Sequence, residues 1–334
     1  MRHFQLLALL ADGKFHSGAQ LGRQLGVSRT IVWSELGVLK KLGVDIFSVR
    51  GKGYRLAEPL QLLDQSLINR MLADHTREQL HTIQVVPEIH STNAYLMEYV
   101  QKHNDLRPSV LIAEHQTKGR GRRGKTWVSP PGQNIYLSIL WPFAGGVGAL
   151  EGLSLVIGIA KARALQKLGF TGVGIKWPND LYWQQRKLGG ILLELTGEAV
   201  GPCAVVMGVG LNVNMQSDAA KAVDQPWVSL RDIQRNHVLD RNPIVAILID
   251  ELVSALKTYE KQGFAPFQQS WQTYDLTFKR PINVHMENHT VQGYGAGIDK
   301  RGALLVNTAE GQQTLFSGEV SIRLRDEVKD EAVT

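Results

Sequence analysis

The sequence predicts an α+β fold in three consecutive parts: a winged helix-turn-helix, a mixed sheet with helices, and a small β-barrel. Three observations lead there. The first sixty residues read as three amphipathic helices followed by a glycine hairpin. From about residue 80, strands and helices mix without regular βαβ alternation. After about Asp275, five short strands alternate with turns.

Composition bounds the function. With 334 residues, 43% apolar and 20% charged, the chain can bury a sizeable core over two or three domains. Its single cysteine, Cys203, excludes an internal disulfide framework and a multi-cysteine zinc site, and fits a reducing cytoplasm. The opening MRHFQLLALLADGKF has too short an apolar run for an export signal, and nowhere is there a run long enough for a membrane span. The net charge of +6 is uneven, because residues 1–60 carry nine Lys/Arg against four Asp/Glu. An anion-seeking head on a nearly neutral body is expected.

In that head, Phe4, Leu7, Leu10 and Ala11 repeat at helical spacing until Asp12-Gly13. Ser17-Gly-Ala-Gln20 reads as a capping box, with Leu21 and Leu25 as the buried stripe and Gly26 as the stop. Ser28 caps a third helix that reaches Leu42 and is closed by Gly43. This helix buries Val32, Leu36 and Leu39, leaving Arg29, Thr30, Trp33, Ser34 and Lys40 as groove-facing candidates, with Ser28 at its start. IFSV and YRL then form a wing whose tip carries Arg50 and Lys52. Phosphate contacts would supply salt-sensitive affinity and base edges specificity. The plainer alternative is a three-helix subdomain with a solvated basic hairpin. Ala57-Glu-Pro59 ends the module, and a short helix around 62–74 leads into the body.

In the body, IQVV, VLIAE, NIYLSILW, GVGIKW, GGILLEL and AVVMGVGLNV read as strands, with helices at 93–102, 149–169 and 243–262. HQTKGRGRRGKTW (115–127) contains a G-x-G-x-x-G but fails as a dinucleotide fingerprint. Pro130-Pro131 forbids the required helix, and no acidic residue occurs between Glu114 and Glu151. The P-loop and kinase glycine-loop patterns fail too. What remains is a glycine loop with Lys118, Arg120, Arg122, Arg123 and Lys125 and no countercharge nearby in the sequence. Three readings stay open: a loop ordering around an anion, a nucleic-acid run in which only Trp127 could stack on bases, or a solvated loop. Lys176-Trp-Pro-Asn-Asp180 and Lys187, which is followed by Leu188 and two glycines, have similar texture, although ordinary hairpins carry such residues as well.

Taken in order, Ser91-Thr-Asn93, Gln116-x-x-Gly-Arg-Gly-Arg122, Lys176-Trp-Pro-Asn-Asp180, Arg186-Lys-Leu-Gly-Gly-Ile-Leu192 and Gly208-Val-Gly-Leu-Asn-Val213 resemble the biotin protein ligases. With the winged helix in front, the chain resembles the bifunctional form, ligase and biotin operon repressor in one polypeptide. The resemblance implies a central domain related to class II aminoacyl-tRNA synthetases and an SH3-like C-terminal barrel. The expected domains are 1–60, 61–272 and 273–325, with 326–334 a disordered tail.

It also implies a reaction with ATP, biotin and Mg2+: biotinyl-5'-AMP forms, and biotin then passes to a lysine of a biotin carboxyl carrier protein of acetyl-CoA carboxylase. By the family pattern Arg122, Lys187 and Asp180 serve catalysis. Ser91, Thr92, Asn93, Gln116, Arg120, Gly121, Arg122, Lys187 and Gly190 would hold biotin, and Trp127, Asn179, Asn212 and Trp227 the adenylate. No metal site made of protein ligands is expected. The resemblance further implies a homodimer in the adenylate-bound state that binds operator DNA. Trp33 and Gly37 depart from the polar readers of the relatives and leave the operator sequence open. A lipoate or octanoate ligase, and a winged-helix regulator whose body only senses a small molecule, are the competing readings.

Overall fold

The computed structural model describes residues 2–146, 150–197, 202–216, 223–286, 289–316 and 321–324. The expected tail 326–334 and the turn at Glu287-Asn288 lie outside the described residues.

The head contains α1 (Arg2–Leu10), α2 (Gly18–Leu25), α3 (Arg29–Lys41) and a hairpin of β1 (Ile46–Val49) and β2 (Gly53–Leu56). Local chemistry sets its boundaries. Ser17 Oγ accepts from Gln20 N–H at 3.1 Å, which forms the Ser17 half of the capping box. Gly26 is left-handed (φ +67°) at the C-cap of α2, and Ser28 Oγ caps α3 through Ile31 N–H. Leu6, Leu7, Leu10, Leu21, Val32 and Leu39 are fully buried and form the head's own core.

The bridging helix expected at 62–74 is two helices, α4 (Gln65–Met71) and α5 (Asp74–Gln79). Asp64 caps the first, and extended backbone at Leu72 and Ala73 separates them. The linker before α4 is anchored to the body. The buried pair Arg241–Glu114 (2.7 Å) lies under it, and Arg241 also donates to the carbonyls of Gln61 and Asn134.

The body is a seven-stranded sheet ordered β3-β4-β5-β9-β8-β7-β6. Its strands are β3 (Thr82–Val86), β4 (Ser109–Ala113), β5 (Ile135–Phe143), β6 (Val173–Lys176), β7 (Asp180–Trp183), β8 (Arg186–Gly197) and β9 (Cys203–Leu211). Only the β3–β4 pair is parallel. The helices are α6 (Thr92–His103), α7 (Leu153–Lys167), α8 (Leu230–Ile233), α9 (Arg241–Gln262) and α10 (Gln268–Tyr274). The expected helix 149–169 is shorter at both ends: Gly152 at φ +72° delays its start and Gly169 at φ +85° follows its end.

The C-terminal unit is a five-stranded antiparallel sheet, β13-β12-β11-β10-β14. It is formed by β10 (Pro281–His285), β11 (Thr290–Ile298), β12 (Leu304–Thr308), β13 (Gly311–Leu315) and β14 (Ser321–Leu324). Alternation along β11 puts Val291, Gly293 and Gly295 inside. Its apolar interior runs on into the core of the body without a break.

Candidate active site

The site is one cavity of about 240 Å³ over β9 and β8, in the middle of the sheet. Every ligase residue expected from the sequence lines it: Ser91, Thr92, Asn93, Gln116, Arg120, Gly121, Arg122, Trp127, Asn179, Asp180, Lys187, Gly190, Asn212 and Trp227.

One end is polar and neutral. Ser91 caps α6, and Thr92 donates from its N–H and hydroxyl to Gln116 Oε1 (2.9 and 3.2 Å). Ser138 Oγ of β5 lies 2.6 Å from both Thr92 Oγ1 and Asn93 Oδ1. Asn93 Nδ2 donates to Glu194 Oε2 (2.8 Å), and Glu194 in turn holds Arg120 (3.1 Å). A Cβ on Gly208 would lie 2.5 Å from Asn93 Oδ1, so a glycine there lets α6 approach the sheet.

The other end is cationic. Among the described lining residues, Arg120, Arg122, Arg123, Lys125, Lys176 and Lys187 face two acids, Asp180 and Asp224, so this end carries excess positive charge suited to an anion. Lys187 Nζ is 2.8 Å from Asp180 Oδ2 and 5.7 Å from the centre of the Trp127 ring. Arg122 donates to Asn179 Oδ1 (3.3 Å). Burial pushes the Arg122 guanidinium below its ordinary range, opposed by Asp180. Burial likewise lowers Lys176 to about 8, again with Asp180 opposing.

The glycine loop folds over this end on its own backbone bonds. Gly121 N–H donates to Lys125 C=O (2.7 Å) and Trp127 N–H to Gly119 C=O (2.9 Å). The loop, without countercharge nearby in the sequence, receives it from distant segments: Glu194 pairs with Arg120 and Asp224 with Lys125 (3.6 Å). Those acids lie far along the chain, on β8 and in the stretch before Trp227, so only folding brings them to the loop. Trp127 then rests on glycine backbone. A Cβ at Gly210 would be 2.6 Å from its ring, and one at Gly190 3.2 Å.

Two expected residues hold protein as well as facing the cavity. Asn212 Nδ2 donates to the carbonyls of Lys187 (3.4 Å) and Val228 (3.2 Å), and Asn179 Nδ2 donates to Ile191 C=O (2.7 Å). Lys187 N–H donates to Pro226 C=O and Lys187 C=O accepts from Val228 N–H, which brings Trp227 beside it. Sequence reading missed Ser138, Glu194 and the fully buried Lys161. The first two sit in largely apolar strands, and the third sits inside an apolar helix. The lysine alone carried a signal, as a charge in a stripe that otherwise reads as buried.

The nucleic-acid candidates lie elsewhere. Ser28, Arg29, Thr30, Trp33, Ser34 and Lys40 are exposed on or beside α3, Trp33 by 70%, and Arg50 and Lys52 are exposed at the wing tip. None of these groups lines the cavity.

Residues 85–212 match the Biotin/lipoate A/B protein ligase family, residues 2–55 an HTH domain and residues 277–323 the Biotin protein ligase C terminal domain. The chain is 43% identical over 319 residues to the bifunctional ligase/repressor BirA of Escherichia coli (strain K12), covering 96% of each chain. It is 30% identical over 318 residues to the bifunctional ligase/repressor BirA of Bacillus spizizenii, covering 93% of this chain and 95% of that one. A solved structure of biotin protein ligase from Aquifex aeolicus in complex with biotin and ATP matches with a TM-score of 0.63 at 27% identity, over 73% of this chain and 100% of that chain. The fold is that of the biotin and lipoate protein ligases. Within that class, the chain belongs to the family of bifunctional biotin ligase/repressors.

Proposed function

We propose that this protein is an ATP-dependent biotin protein ligase that also represses biotin-synthesis genes, with biotinyl-5'-AMP as corepressor. One observation carries the reading: a single cavity joins a neutral hydrogen-bonding end, suited to a ureido head, to a cationic end suited to a nucleotide. In the first step a biotin carboxylate oxygen bonds to the α-phosphorus of ATP, and the bond to the β-phosphate breaks with loss of pyrophosphate. In the second, a lysine amine of the carrier attacks the acyl carbon, AMP leaves, and the amine loses a proton.

Arg120, Arg122 and Lys187 neutralise charge as it redistributes between carboxylate and phosphates. Asp180 keeps Lys187 in place at 2.8 Å and is the carboxylate beside which the incoming amine would lose its proton. Magnesium enters as the MgATP substrate. Trp127 and Trp227 cover the nucleotide, and Ser91, Thr92, Asn93 and Gln116 select the vitamin. The ligand-covered loop surface would meet either a biotin carboxyl carrier protein of acetyl-CoA carboxylase or a second copy of the chain. The resulting dimer would place two winged helices (1–60) on operator DNA in the cytoplasm, with the catalytic domain at 61–272 and the barrel at 273–325.

The test is incubation with MgATP, labelled biotin and an apo carrier domain, in parallel with biotin- and lipoate-dependent pyrophosphate exchange. Biotin-dependent exchange and labelled carrier are expected. Exchange with lipoate alone, or none, overturns the reading. For the repressor arm, sedimentation with biotinyl-5'-AMP is expected to double the mass.

A further inference from the structure

Lys161 lies in the middle of α7 with no exposed surface. A lysine usually extends along apolar surface to bring its amine to water, and this one cannot. Its Nζ donates instead to two backbone carbonyls, Gly190 of β8 at 2.9 Å and Gly210 of β9 at 3.3 Å. The socket needs glycine, because a Cβ at the adjacent Gly189 would meet Lys161 Nζ at 3.1 Å and Gly210 C=O at 2.6 Å.

The two glycines that Lys161 holds are the ones on which Trp127 rests. Gly190 also borders the reacting cations, since a Cβ there would lie 3.4 Å from Asp180 Oδ1 and 3.5 Å from Lys187 Cε. The amine is therefore a peg on the helix side of the sheet, directly behind the floor that carries Trp127, Lys187 and Asp180. Resting on the ligase reading above, we propose that Lys161 is a positioning residue of the adenylation site, holding the Gly190–Gly210 floor and taking up a proton when an anionic adenylate binds over it.

The electrostatics give the direction. Burial brings Lys161 down to about 7, with Asp180 of β7 favouring the ammonium and Lys187 of β8 opposing it. A phosphate bound beside Lys187 adds negative charge on the far side of the floor, so binding favours the protonated amine. A rise of about one unit from 7 corresponds to uptake of about half a proton per ligand at pH 7.5.

The experiment is calorimetric titration of the full chain with biotinyl-5'-AMP in HEPES and in Tris, which separates proton uptake from binding heat. Lys161→Met removes both donors and charge, and Lys161→Gln keeps a neutral donor. Uptake is expected to fall by about half a proton in both variants, leaving any contribution of Lys176. Affinity is expected to drop at least tenfold in the Met variant and less in the Gln variant, which also covers the case of a misfolded Met protein. Uptake equal to wild type in the variants, or unchanged affinity in both, overturns the proposal. A wild-type protein that does not bind biotinyl-5'-AMP overturns the ligase reading itself, a separate result.

Discussion

The floor beneath Trp127 is glycine, and a methyl group there has a readable cost. Gly210→Ala would put a Cβ 2.6 Å from the ring, so Trp127 must lift off the sheet. Dissociation of labelled biotinyl-5'-AMP is expected to accelerate roughly tenfold or more, which corresponds to about 1.4 kcal/mol of lost contact. In the proposed reaction Arg122 would supply charge stabilisation. Arg122→Ala is expected to lower adenylation kcat by about 10²–10³ and to let the intermediate escape, measured by burst amplitude and by hydrolysis of released adenylate. Lys161 makes a third case. Its amine sits near 7 in the folded chain against 10.5 when unfolded, so between those values the unfolded chain binds the extra proton and stability rises with pH. Lys161→Met is expected to lose that slope, its stability staying flat between those two values while that of the wild type rises. Equal pH slopes in calorimetric unfolding of the two proteins would refute this. These residues differ in legibility. Arg122 stands in a basic glycine motif that the sequence displays, whereas the tight fit of Gly210 and the peg of Lys161 depend on β8, β9 and α7 meeting.

Local chemistry wrote the helices and hairpins of the head. Ser28 and Gly26 act within a turn of themselves, so α2 and α3 fall where the sequence places them, whereas Gly53 of the wing also packs against the distant backbone of His16. The wing gives a prediction at this scale. Arg50→Ala or Lys52→Ala is expected to weaken binding to all DNA sequences alike and to reduce the salt slope of log K by about 1 each, measured by titration at several salt concentrations. An unchanged slope would place the wing off the DNA. The glycine loop was less legible. Its charge was plain, but Glu194 and Asp224, which restrain it, belong to distant segments. Helix boundaries in the body shifted for a related reason. Extended backbone at Leu72-Ala73 and left-handed Gly152 interrupt patterns that apolar periodicity alone continues.

The linker between head and body is tied down across the whole molecule. Arg231 donates to Glu58 (2.6 Å) and thereby holds the Glu58 carboxyl below the usual carboxylate range. A depressed carboxyl contributes above its unfolded value and is lost as pH falls through its folded one, so this tie is expected to loosen only in acid, seen as faster proteolysis at 57–64. The buried Arg241–Glu114 pair beneath it is stronger. Arg241→Met strands a buried carboxylate and is expected to cost about 3–5 kcal/mol in denaturant unfolding, with the linker becoming cleavable at neutral pH. By itself the sequence determined the capped helices, the wing, the five short C-terminal strands and the order of the motif islands, because each rests on residues within a few positions of one another. Only the tertiary structure decided which side chains share the cavity, what restrains the basic loop, and that a lysine buried in α7 reaches the back of its floor. Those facts are contacts between segments tens to over a hundred residues apart, and no local periodicity encodes them.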